Sequence, residues 1–224
     1  MGITDLPALK ALAFEKRKSG IFLTVLGFGE GKETLMEQVA NHGNGNFEFI
    51  DNENELLKVF VYEQTKLLSV AKDAKIQLSF NSNSVISYRL IGYENRALNE
   101  NEFRNDAVDG GEIGAGQTIT ALYELELRED FTNLGTISVN YKYPNIDISS
   151  SFDQAIDNTL TEFGFASDNL KLSAAIAAYG MLMKQSAHSG TADKGLVLDL
   201  IRSSKLSDPF SLKSEFEQIV EDAL

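Results

Sequence analysis

The sequence predicts an α+β protein in three consecutive blocks: an α/β segment at residues 1–66, an antiparallel β unit at 67–148 and a helical region at 149–224. Three observations carry this. Up to Lys66, stretches with helical apolar spacing alternate with short apolar runs. Between Asp73 and Tyr143, apolar and polar residues alternate with a period of two. From Ser151 onward the period becomes helical.

In the first block, Thr4 or Asp5 caps a helix that carries Pro7 in its first turn, runs to Lys18 and closes at Ser19-Gly20. Ile21 to Leu26 then forms a short apolar run, the pattern of a strand buried on both faces. Gly27 to Gly31 make a loop and Lys32 to His42 a second helix. Gly43-Asn44-Gly45 turns the chain into a strand at Asn46 to Ile50, and Asp51 or Asn52 caps a third helix. An α-β-α-β-α order implies parallel strands with helices packed on them.

In the second block, Ala74, Ile76, Leu78 and Phe80 alternate with Asp73, Lys75, Gln77 and Ser79. The same period recurs from Ile119 to Leu127 and from Ile137 to Tyr143, while Val85 to Gly92 fits a fourth strand less cleanly. Each strand is expected to turn its apolar face to a core and its polar face to water, as in an antiparallel β-sandwich-like unit. The third block reads as four helices at Ser151–Glu162, Asp168–Ser186, Ala192–Ser203 and Ser211–Ala223, with Asp168 and Ser211 as caps. Leu172 to Met183 is apolar all round, so it is expected to be the buried helix of this group.

Composition narrows the function. The 224 residues are 43% hydrophobic and 24% charged, ample for a core. Twenty basic residues face 33 acidic ones, a net charge of −13 spread along the chain. No basic patch exists to displace counterions from phosphates, which argues against nucleic acid and anionic membranes as partners. The absence of cysteine excludes disulfides, thiol catalysis and thiolate metal sites. The first five residues resemble neither a signal peptide nor an anchor, and the Leu172–Met183 stretch is too short to span a bilayer, so no membrane insertion is expected.

The motifs are weak. Leu26 to Glu33 follows a strand and opens a helix, as phosphate loops do, but Leu26 stands where a P-loop needs Gly and Glu33 where it needs Ser or Thr. Lys32 replaces the third Gly of a dinucleotide fingerprint, and Glu30 and Glu33 would repel an anion. A tight turn is the better explanation. Asp51 to Glu55 has the acidic look of a calcium loop, yet Leu56 and Tyr62 occupy the positions of its Gly and its final Glu. Asp106, Asp109 and Glu112, in a Gly-rich stretch, are the one candidate set for a hard cation. His42 and His188 lack ligand-spaced neighbours, and no nucleophile elbow is present. No enzyme is expected; a hydrolase would need a Ser-His-carboxylate site assembled from distant residues.

Several strings add a resemblance. Ile21 to Gly29 (IFLTVLGFG), Gly43 to Asp51 (GNGNFEFID), Ala71 to Gln77 (AKDAKIQ), Tyr88 to Arg96 (YRLIGYENR), Gly111 to Gly116 (GEIGAG) and Thr120 to Glu124 (TALYE) occur in order. Together they resemble bacterial von Willebrand factor type A domain proteins that carry an extra carboxy-terminal domain of unknown function. Ala174 to Leu182 and Glu215-Phe216 resemble that domain's helical end. The resemblance implies that residues 1–66 are the carboxy-terminal portion of a doubly wound von Willebrand A-like domain, and it implies a bacterial cell-envelope location. It also implies Mg²⁺ in the intact parent family, held by an Asp-x-Ser-x-Ser loop, a Thr and an Asp. None of these matches a position in this chain, so no cofactor and no metal ligand is carried over. Gln117 stands where the family favours His.

On this resemblance the chain begins after the family's fourth strand, which leaves the strand at Ile21 with an open edge. Ile21, Leu23 and Val25 are therefore the candidate self-association strand, since an open apolar edge tends to pair. The expected function is a non-catalytic protein-binding or scaffolding module whose partner is another protein or a second copy. A cation-dependent adhesion module and the assembled-site hydrolase are the rival expectations.

Overall fold

A computed structural model of the chain describes residues 3, 5–29, 33–93, 98–108, 110–157 and 159–223. It divides into two compact units, each stitched from separate segments: 1–78, 98–118 and 137–154 in the first, and 79–97, 119–136 and 155–224 in the second. The sequence pattern suggested consecutive blocks instead. Strand pairing joins residues far apart in the chain, and periodicity carries no information about such pairing.

The first unit opens with α1 (Leu6–Lys18). The Asp5 carboxylate accepts the Ala8 amide at 3.0 Å, and Lys16, Arg17 and Lys18 complement the negative end of the helix dipole. β1 (Leu23–Phe28) lies two residues beyond the Ile21–Leu26 run, because Gly27 and Phe28 continue pairing, opposite Phe49 and Ile50. Ile21 precedes the strand. α2 (Glu33–His42) buries Val39 and Ala40 and leads into β2 (Asn44–Ile50), which pairs with β1 in parallel, as the element order required. A Cβ at Gly45 would lie 1.9 Å from the Leu23 carbonyl oxygen, so only glycine permits this approach. Burial of β1 on both faces is not realised: Leu23 is 38% and Phe28 59% exposed, and only Gly27 is buried. α3 (Glu53–Leu57) is short; the Asn52 side chain caps it, and it widens into a π turn at Lys58–Tyr62 and a 3₁₀ turn at Gln64–Leu67.

The remaining strands are β3 (Ser69–Phe80), β4 (Val85–Ile91), β5 (Gly111–Gly114), β6 (Leu122–Leu127), β7 (Gly135–Lys142) and β8 (Ser149–Ala155). One sheet has the order β5-β3-β7-β8, and β4 pairs antiparallel with β6 alone. β5 is antiparallel to β3. β7 meets β3 at Gly135–Ser79 and Lys142–Asp73, and β8 meets β7 at Ser138–Asp153 and Gly135–Ile156, so both of these pairs are antiparallel too.

Three expectations fail in this sheet. Residues 151–155 form the edge strand β8 rather than the start of a helix, because its serines have little helix propensity and β7 offers a ladder to pair with. The faces of β3 are also not divided as the alternation suggested. Asp73 and Lys75 are buried, 8% and 2% exposed, whereas Ile76 is 51% exposed. β5 replaces what looked like a Gly-rich loop.

The second unit holds the β4–β6 ribbon and three helices. Phe80 packs on Tyr88 and Tyr123 at ring-centroid distances of 4.6 and 5.5 Å. α4 (Asp168–Met183) is capped by Ser167, α5 (Lys194–Ser203) by Asp193, and the carboxylate of Asp208 accepts amides at the start of α6 (Leu212–Ala223). The caps thus fall at Ser167 and Asp208 rather than at Asp168 and Ser211. Ala175, Ala178, Val197, Ile201 and Val220 form the core of this unit, with Tyr179 edge-on to Phe216 at 5.5 Å.

Candidate protein-docking surface

The weak motifs resolve locally. The Leu26–Glu33 segment continues β1 to Phe28 and turns at Gly29, whose φ is +68°; Glu30, Gly31 and Lys32 lie outside the described residues. Within Asp51–Glu55, Asn52 accepts the Glu55 amide at 2.9 Å and Glu55 pairs with Lys58 at 2.7 Å, which is helix-start chemistry. His42 Nδ1 lies 2.7 Å from the Gln38 carbonyl oxygen, one helical turn away. Gln117 accepts the Gly114 amide at 2.9 Å and so closes a turn.

His188 lies on the rim of a groove of about 410 Å³ in the second unit, floored by Ala178, Met181 and Leu200. Arg89 and Glu124 line the same groove and pair with each other, Nε to Oε2 at 3.0 Å. Among the described residues, no hydrogen bond joins the His188 ring to a serine or a carboxylate.

The cation candidates are engaged with protein groups. Asp106 accepts the Ser149 hydroxyl at 2.6 Å and lies 3.6 Å from Lys142. The Ser149 hydrogen bond, helped by Lys142, holds the Asp106 carboxyl below its ordinary range. Glu112 accepts from Ser69 Oγ at 3.1 Å and from Asn44 Nδ2 at 3.3 Å. Asp109 lies outside the described residues. Among the described residues, no group of three or more His, Asp or Glu side chains is placed to hold a metal ion.

What periodicity missed is an ionic cluster that holds the backbone at Asn105 and at Gly110. Asp73 sits at φ +53°, at an irregularity in the β3–β5 register, a conformation Asp tolerates better than most residues. Its Oδ1 accepts the Gly110 amide at 2.7 Å and faces Lys75 Nζ at 3.2 Å, while Oδ2 accepts Lys142 Nζ at 2.8 Å. Lys75 also donates to the Asn105 carbonyl at 2.8 Å. Hydrogen bonding to Asp73 raises the Lys142 ammonium above its ordinary value, against the effect of burial. The available signal was the pair of opposite charges two residues apart on one strand face.

The surface offers more than these sites do. Leu23 and Val25 lie in β1, which pairs only with β2 among the described residues; on its other side β2 approaches β5 through Asn44 and Glu112. Among the described residues no strand pairs with the other edge of β1, and Ile21 (58% exposed), Leu23 and Phe28 stand open beside it.

The total area points the same way. A compact protein of this mass exposes roughly 10,000 Å², and two separate globules of half the mass together roughly 12,000 Å². This chain of 24.7 kDa exposes 14772 Å². The excess includes apolar groups such as Ile148 and Phe165, 76% and 80% exposed.

Comparison with known proteins places the chain. A family model described as "Uncharacterized protein YfbK, C-terminal" matches residues 65–133 and 126–224. The uncharacterized protein YfbK of Escherichia coli (strain K12) is 32% identical over 244 residues, covering 99% of this chain and 42% of that protein. The chain therefore spans about two fifths of the length of the curated relative it matches.

Proposed function

Because the chain belongs to the family of the YfbK carboxy-terminal region, we propose that it is a non-catalytic protein-binding or scaffolding module of a von Willebrand A-like bacterial envelope protein. The observation that carries this reading is the exposed surface of 14772 Å², in excess of what even two separate globules require. Large apolar side chains stand open within that surface, Phe28, Ile148 and Phe165 among them, and contiguous exposed apolar surface marks interaction sites. The von Willebrand A-like assignment rests on the α1-β1-α2-β2-α3 order with parallel strands, together with the strings that carry the resemblance. In this reading the outer edge of β1 receives a further strand, which covers Leu23 and Phe28. Parallel strands are otherwise found inside sheets, with partners on both sides. In this reading Mg²⁺ binding is a property of the intact von Willebrand A-like parent.

The test uses the part of YfbK outside the match, prepared separately and mixed with this chain. A complex by size-exclusion chromatography is expected, with slowed hydrogen exchange at the amides of Leu23 to Phe28. Separate elution of the two, or a complex that leaves exchange in β1 unchanged, would overturn the docking mode.

A further inference from the structure

α4 is apolar all round, as a helix buried on every side would be, yet only part of its circumference is covered. Leu172, Ala175, Ala178, Tyr179 and Leu182 face the core of the second unit. At 100° per residue, Leu170, Ser173, Ile176, Ala177, Gly180 and Met183 make a second stripe down the other side. Leu170, Ile176 and Met183 are 42%, 53% and 52% exposed, and a Cβ built at Gly180 would meet nothing within 4 Å. No charged residue lies between Lys171 and Lys184. A chain with net charge −13 has kept one helix face free of charge and left it in water.

The order of residues along the stripe says what covers it. Read from either end, the stripe runs large, small, then Ile176-Ala177, then small, large: Leu170 mirrors Met183 and Ser173 mirrors Gly180 about the point between residues 176 and 177. In an antiparallel pair crossing there, a two-fold axis sets Leu170 against Met183, Ser173 against Gly180 and Ile176 against Ala177 of the other copy, so large residues meet at the ends and a large one meets a small one at the centre. Charge selects the orientation. An antiparallel pair sets the acidic start of α4, Asp168-Asn169, level with Lys184 of the other copy, whereas a parallel pair would set like charges side by side. The small residues Ser173, Ala177 and Gly180 let the two backbones approach closely, and Ile176 of each copy fills the space over Ala177 of the other.

We propose that the exposed face of α4 is a homodimer interface, formed by two copies of α4 packed antiparallel about Ile176 and Ala177. It is a different surface from the β1 edge and does not depend on it. The helix is about 24 Å long, so the pair lies at the small end of specific interfaces.

Sedimentation equilibrium of the whole chain across the micromolar range tests this. A monomer–dimer equilibrium is expected, and Ile176→Glu should weaken it at least tenfold, since it buries an unpaired charge. The circular dichroism melt of that variant, compared with wild type at a concentration where both are monomeric, should not change, because Ile176 faces away from the core. Since the chain has no cysteine, Ala177→Cys and, separately, Leu23→Cys report on the two surfaces by oxidative cross-linking. Cross-linked dimer at residue 177 supports the proposal even if Ile176→Glu misfolds. A wild-type chain that stays monomeric overturns it, as does a dimer that cross-links at residue 23 and not at 177.

Discussion

Lys142 Nζ lies 2.8 Å from Asp73 Oδ2, and the other oxygen of the same carboxylate receives the Gly110 amide at 2.7 Å and faces Lys75 at 3.2 Å. One carboxylate on β3 thus serves two lysines and fastens the backbone at Gly110. The Lys75 side chain has no exposed area, so its charge depends on Asp73 and on the Asn105 carbonyl.

Removing that carboxylate's charge should therefore cost more than removing the lysine. Asp73→Asn keeps the tolerance for positive φ and leaves Lys75 buried without its counter-charge, for an expected loss of about 3 kcal/mol. Lys75→Met leaves Asp73 with Lys142 and Gly110, for an expected loss of about half that. Urea midpoints of the two variants compare them; equal losses would mean that the ion pair does not set the cost.

Gly135 has φ +140°, and a Cβ there would lie 2.1 Å from the Ser79 carbonyl oxygen. Gly135→Ala should destabilise the chain by more than about 2 kcal/mol, through strain and through displacement of β7 from β3. A midpoint within error of wild type would refute the strand approach described for this position.

Burial holds the Glu48 carboxyl above its ordinary pKa, against the pull of Lys58. A carboxyl raised in the folded state favours folding when protonated, and that contribution is lost as pH rises through the folded value. Glu48→Gln should therefore be more stable than wild type at neutral pH, by less than about 1 kcal/mol after solvent screening. The advantage should vanish below about pH 4. Paired melts at the two pH values check this, and a variant less stable at neutral pH would contradict it.

Asp208 carries the opposite sign. Burial pushes its carboxyl up, but the amides of Lys213 and Ser214 and the Ser214 hydroxyl outweigh it and hold the group below its ordinary range. The stabilisation is present above about pH 4 and is lost as pH falls through the folded value. Asp208→Ala should cost about 1 kcal/mol at neutral pH, as the loss of a helix cap does, and should show a shallower fall in stability in acid than wild type. An unchanged acid profile would mean that Asp208 does not act as the cap of α6.

Local chemistry, read from the sequence, located α1, α2, β2 and α4 to α6 to within a few residues, because caps such as Asp5 and Asn52 and the apolar spacing act within one or two turns. It also identified the parallel pair, since a helix between two strands admits little else.

The tertiary structure decided where side chains ended up. Ser149 to Ala155 became a strand because β7 had an edge to pair with. Asp73 and Lys75 went inside because Asp73 meets Lys142, brought from β7, and Lys75 meets Asp73 and the distant Asn105 carbonyl, while Ile76 stayed half exposed. Apolar-all-round α4 was expected to be wholly buried, and it is covered on one side only. Periodicity specifies which side chains seek burial, but coverage depends on which elements arrive, and those contacts are set by pairing across long chain separations.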